Sequence, residues 1–163
     1  MSVKMRPIPV SPVLMWAIIL SGTAPAIYLL PSESFYAPHP IHYAIFAASF
    51  LYWAGMFTTS LYHHHEAHKS AKQVKELVTA GPYAYVRHPI YSADILFAWG
   101  ITLVLPKANI LVCAAWLTTI MMRWMILEEK ALTEKFGEAY KQYQDTTPML
   151  IPKITRPPRY PTP

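Results

Sequence analysis

Ionisable and hydrogen-bonding side chains gather at two places in an otherwise apolar stretch of this chain: Arg87, His88, Tyr91 and Asp94 at the first, Arg123, Glu128 and Glu129 at the second. These are residue types that bind charged ligands or carry protons. Placed at membrane depth they are costly, and they usually face a bundle interior or a wet cavity, so together they form the default candidate site. Their spacing suggests how they meet. Two apolar segments, 90–105 and 108–127, flank Pro106 and Lys107 and read as a tight antiparallel helical hairpin. His88 stands 19 residues before Lys107 and Glu128 21 after it, so both arrive at the same mouth. Asp94 and Arg123, 13 before and 16 after, lie about one turn deeper. For that deeper pair a plain structural ion pair is the alternative reading. Likewise Arg87, Glu128 and Glu129 could simply anchor helix ends among lipid head groups.

The elements that must hold these residues follow from composition. Of 163 residues, 53% are hydrophobic and 14% charged, outside the usual range of a water-soluble domain of this size. Four apolar stretches, at about 12–30, 41–61, 90–105 and 108–127, are long enough or nearly so to cross roughly 30 Å of hydrocarbon as helices. The expected fold is an all-α, polytopic membrane bundle of about four crossings, with a C-terminal hairpin and a terminal amphipathic helix. That last helix is read from EEKALTEKFGEAYKQYQD, where Leu132, Phe136, Ala139, Tyr140 and Tyr143 recur at helical spacing. Residues 1–156 are expected to form a single domain and the proline-rich 157–163 a disordered tail. With 16 prolines against 5 glycines, the elements should be short and broken by proline.

The formal charge of +5 does not point to nucleic acid, because the basic residues flank apolar segments and form no stripe among aromatic ones. Four crossings put 12 of the 14 Lys and Arg residues on one side, which predicts that both termini and the site are cytoplasmic. Lys4 and Arg6 precede the first apolar run without a convincing small-residue cleavage site, so that run is expected to be a retained helix. Cys113, the single cysteine, excludes an intramolecular disulfide and reads as inert packing.

The segment LVTAGPYAYVRHPIY, Leu77 to Tyr91, followed by the Glu128, Glu129 pair, FGEAYKQY and LIP, resembles the isoprenylcysteine carboxyl methyltransferase and phospholipid methyltransferase superfamily of integral membrane enzymes. The resemblance covers residues 76–152. It departs where many relatives have glycine two positions past the tyrosine and this chain has Ala93. It implies an enzyme that uses S-adenosylmethionine, with Tyr83, Tyr85, Arg87, His88, Tyr91, Glu128 and Glu129 at the cofactor and Arg87 and Glu129 also catalytic. Arg87 or His88 would hold the cofactor carboxylate, Glu128 or Glu129 its ammonium or hydroxyls, and Tyr83, Tyr85 and Tyr91 would wall the adenine or the sulfonium. The expected partners are the membrane and a lipid or prenylated small-molecule substrate. Carboxyl methylation of an isoprenylcysteine or a similar lipophilic acid ranks first, and N-methylation of a phosphatidylethanolamine-type phospholipid second.

Two other classes remain open. Sterol-reductase-like proteins with NADPH share a related C-terminal architecture, although the paired glutamates argue for the methyl donor. A non-catalytic subunit could bind metal or haem through YHHHEAHK, Tyr62 to Lys69, in which His64 and His68 are four apart. That run is not HExxH, and a polar helix end near acidic head groups is the preferred reading, with no metal site expected.

Overall fold

A computed structural model describes residues 11–63 and 75–154. The described residues form five α-helices and one short 3-10 turn: α1 Pro12–Leu29, α2 Pro40–His63, the turn Gly81–Ala84, α3 Pro89–Val104, α4 Ala108–Phe136 and α5 Glu138–Thr146. Three of the 16 prolines open α-helices, and Pro25 lies inside α1. Pro12, Pro40 and Pro89 are each the first residue of a helix, where the missing N–H would lack an intrahelical partner anyway and φ is already helical. The histidine run from His64 onward and the proline-rich tail lie outside the described residues.

α1, α2 and α4, of 18, 24 and 29 residues, are long and apolar enough to cross a membrane. At 1.5 Å per residue, α3 with its 16 residues rises only about 24 Å, so it is a short fourth member held by its neighbours. Side-chain exposure fits a lipid solvent. Val13, Leu29 and Leu51 are 77%, 74% and 69% exposed, which costs little where the surroundings are as apolar as a protein core.

α4 is longer than the apolar stretch that announces it. It continues two turns past Glu129 and ends at Phe136, so the expected amphipathic helix is split. The break is Gly137, at φ 58°, a left-handed backbone that a side chain would strain. α5 then turns back over the hairpin mouth and buries Tyr140 and Tyr143.

α1 packs on α4, α4 on α3 and α3 on α2, so the bundle runs α1, α4, α3, α2 in space. Met15, Ile19, Ile95, Met121, Trp124 and Met125 form the buried core where α1, α3 and α4 meet. Close approach of α1 to α4 requires Gly22: a Cβ there would overlap the Trp116 indole, whose N–H reaches the carbonyls of Ile18 and Ile19 at 3.3 and 3.2 Å. At the far end, the α1–α2 loop is tied to the hairpin turn by an antiparallel bridge between Ser34 and Lys107 and by Phe35 N–H to Pro106 O at 2.8 Å.

Candidate active site

The segment 85–88 leads from the 3-10 turn into α3, and residues 148–153 pin it by backbone hydrogen bonds. Arg87 N–H donates to Pro148 O at 2.9 Å, His88 N–H to Met149 O at 3.2 Å, and Lys153 N–H to Tyr85 O at 3.0 Å. Tyr143 of α5 donates its hydroxyl to Tyr83 O at 2.6 Å. Val86 is fully buried under this strap. Arg87 and His88 are therefore fixed by backbone pairing with residues about 60 positions later, before their side chains make any contact.

Those side chains reach the end of α4. Arg87 Nε donates to Glu129 Oε1 at 2.7 Å, and its Nη1 donates to Gln144 O at 2.9 Å and to Thr147 O. Gln144 Nε2 donates to Glu129 Oε2 at 2.9 Å, and His88 Nε2 lies 3.2 Å from Glu129 Oε1. The Glu129 carboxylate is thus held by three residues, two from the entry to α3 and one from α5. A planar guanidinium with a fixed fork of donors suits this role where a lysine would not.

Glu128, the next residue, faces a different space. Tyr91 donates its hydroxyl to Glu128 Oε1 at 2.8 Å, and His88 Nδ1 stands 3.7 Å from Glu128 Oε2. The His88 and Tyr91 rings stack with centroids 5.6 Å apart. Tyr83, Arg87, His88, Tyr91, Asp94 and Glu128 all line a cavity of about 830 Å³ that extends between α1 and α2 along Trp16, Leu20, Phe57 and Leu61. Burial pushes the Tyr83 phenol up to about 12 and raises that of Tyr140, so both stay protonated.

Of the residues singled out from sequence, the structure brings Tyr83, Arg87, His88, Tyr91, Asp94, Glu128 and Glu129 to the hairpin mouth. Two belong elsewhere. Tyr85 is 40% exposed and does not line the cavity; its carbonyl serves the strap instead. Arg123 is on the exposed face of α4 and makes no pair with Asp94, whose Oδ1 accepts from Trp53 Nε1 at 2.7 Å. Depth along the hairpin is right for Arg123, but five residues of helix turn it about 140° away from Glu128. Sequence reasoning missed Trp53, Gln144 and Thr147 at the site. Tyr140 and Tyr143, read only as an amphipathic face, also line the cavity.

The formal charges of the cluster are one guanidinium against the carboxylates of Asp94, Glu128 and Glu129, with His88 between two of them. The balance is negative. Such a lining suits a ligand with net positive charge, and the apolar groove beyond it suits a hydrocarbon chain.

Fold and site together define an integral membrane protein whose polar pocket sits at one end of a helical hairpin and opens into an apolar groove. The sequence model of the phospholipid methyltransferase family matches residues 43–139, more than half of the chain, and the protein belongs to that family. The superfamily resemblance carried by RHP and the paired glutamates is thereby shown. Similar proteins include methanethiol S-methyltransferase 1 of Bradyrhizobium diazoefficiens, 39% identical over 43% of this chain and 24% of its own length. The protein-S-isoprenylcysteine O-methyltransferase of Schizosaccharomyces pombe is 37% identical over 48% of this chain and 34% of its own. The methanethiol S-methyltransferase of Crocosphaera subtropica is 42% identical over 44% and 28%. The match thus spans about a third or less of the length of these relatives.

Proposed function

We propose that this protein is an S-adenosylmethionine-dependent methyltransferase acting on a lipophilic acceptor, with the pocket and both termini on the cytoplasmic side. The observation that carries this reading is the net-negative lining, with Glu76, Asp94 and Glu128 beside Arg87 and His88, of a cavity that continues into an apolar groove between α1 and α2.

When bound, S-adenosylmethionine supplies a methyl group made electrophilic by a positively charged sulfur. Its sulfonium and ammonium outweigh its one carboxylate, and the donor set here fits that balance. Glu128, with Tyr91 and His88 already turned toward it, would take the ammonium or the ribose hydroxyls. Tyr83 and Tyr91 would present ring faces to the adenine or the sulfonium. Arg87 and Glu129 hold each other and the strap, so their contribution is to fix the mouth in one shape, and Arg87, which lines the cavity, would take the cofactor carboxylate. Methyl transfer is an in-line displacement. Alignment and exclusion of water are the main demands, and a rigid mouth under α5 meets both.

The relatives' names give S-methylation of methanethiol and O-methylation of a protein S-isoprenylcysteine in those proteins. For this chain the charge of the lining favours an acceptor that is not anionic over the carboxylate expected first from sequence. It also opposes a polyanionic dinucleotide such as NADPH. The direct test is calorimetric titration of the detergent-purified protein with S-adenosylmethionine and with NADPH. Saturable binding of the methyl donor alone is expected, and binding of NADPH alone would overturn the proposal.

A further inference from the structure

Arg123 is the one charged residue in the apolar part of α4, and it is exposed there. Five residues before Glu128, it lies about 7.5 Å deeper in the bilayer than the hairpin mouth. Among the described residues no acid pairs with it. Lys130, exposed on the same helix, also has no acid partner among them, although Glu134 follows one turn later. A charge on a lipid-facing surface is costly without compensation, and a side chain that points out of the bundle cannot find that compensation inside it.

The face that carries these two cations indicates what supplies it. Seven residues make almost two full turns, so Arg123 and Lys130 stand within about 20° of one another around the helix and about 10.5 Å apart along it. Ile126, between them, is 54% exposed. Deeper in the bilayer the same face continues through Thr119 and Val112, both exposed. The Thr119 hydroxyl donates to Ala115 O at 2.8 Å, which leaves the stripe below Arg123 without a free side-chain donor. An arginine so placed keeps its stem in hydrocarbon and bends its guanidinium toward the interface, the level of lipid phosphates.

We infer that Arg123 and Lys130 form a site for one anionic phospholipid on the outer face of α4, in the leaflet at the hairpin mouth. Arg123 holds the phosphate through its fork of N–H donors, Lys130 adds a second positive charge at the head group, and an acyl chain lies along Ile126, Thr119 and Val112. A zwitterionic lipid offers the same phosphate to the guanidinium but brings its own ammonium against Lys130. An anionic head group is therefore preferred. Neither cation lines the cavity, so the site stands whatever the cavity binds.

The test uses the full chain in phosphatidylcholine vesicles with a trace of spin-labelled phosphatidylglycerol or of spin-labelled phosphatidylcholine. Electron paramagnetic resonance gives the fraction of each label immobilised on the protein. The wild type should prefer phosphatidylglycerol by about fivefold or more, the effect of one cation near the surface. Arg123→Gln combined with Lys130→Gln should bring the two lipids close to equality. Lys135→Gln combined with Lys141→Gln removes the same two charges from exposed positions elsewhere, and it should keep the preference. Equal immobilisation of both labels by the wild type, which requires no variant, overturns the inference. So does a preference that survives in Arg123→Gln with Lys130→Gln, or one that falls equally in both double variants, since the attraction would then belong to net charge and not to this face.

Discussion

Arg87 and Glu129, 42 residues apart in sequence, meet through a 2.7 Å bond from Nε to Oε1, with side chains 10% and 13% exposed. This pair joins the entry of α3 to the end of α4. Through Nη1 the same guanidinium also holds the carbonyls of Gln144 and Thr147, so four segments depend on one side chain.

Removing one partner of a buried pair leaves the other charge uncompensated. Arg87→Ala should therefore cost about 3 kcal/mol of stability or more and release the strap. Arg87→Lys, which keeps the charge but loses the fork, should fall between that variant and the wild type. Thermal unfolding in detergent checks the order. Equal melting of all three proteins would show that the tie is not structural.

The adjacent glutamates should separate by function. Glu128 faces the cavity, whereas Glu129 is saturated by Arg87, His88 and Gln144. Glu128→Gln should weaken S-adenosylmethionine binding by about tenfold, the value of one charge-assisted hydrogen bond, with little change in melting. Glu129→Gln should lower the melting temperature more than Glu128→Gln does. Titration and melting of both variants give the comparison, and the reverse pattern would reassign the two residues.

The α1 to α4 contact depends on an absent side chain. Gly22→Leu drives its side chain into the Trp116 indole, a rigid ring with its N–H already committed to α1. Overpacking of this kind costs roughly 1–3 kcal/mol. Gly22→Leu combined with Trp116→Ala should recover part of the loss, a coupling that a double-mutant cycle measures.

Burial of Tyr83 and Tyr140 makes the protein sensitive to alkali. A phenol titrates at about pH 10 in the unfolded chain. In the folded protein Tyr83 is pushed up to about 12, and Tyr140 is raised as well. The folded state therefore holds these protons more tightly. The stability they contribute is complete below about pH 10 and is lost as the pH rises toward 12. Melting temperature should fall across that window, and Tyr83→Phe should flatten the fall.

Much of the architecture can be read from residue order. The apolar stretches 12–30 and 41–61 became α1 Pro12–Leu29 and α2 Pro40–His63, because a run of apolar side chains bounded by proline leaves a membrane-embedded backbone few alternatives to a helix. The meeting of His88 with Glu128 and Glu129 was also legible. Two antiparallel helices joined by a short turn put residues equally far from it at equal depth, whatever surrounds them.

Tertiary structure decided direction and partnership. Counting gave Arg123 the right depth and the wrong face, since the azimuth of a side chain depends on how the helix is rotated against its neighbours. Trp53 became the partner of Asp94 only because α2 packs on α3, and an indole in an apolar run carries no mark of that role. The strap of residues 148–153 along 85–88 is held by backbone hydrogen bonds, which leave no periodic mark on the side chains. Sequence determined the elements, the depth of the charged residues and the family, because these follow from local periodicity and from a specific motif. Which carboxylate is sealed in a tie and which faces the cavity follows from long-range packing, and neighbouring identical residues such as Glu128 and Glu129 give no sign of it until the chain is folded.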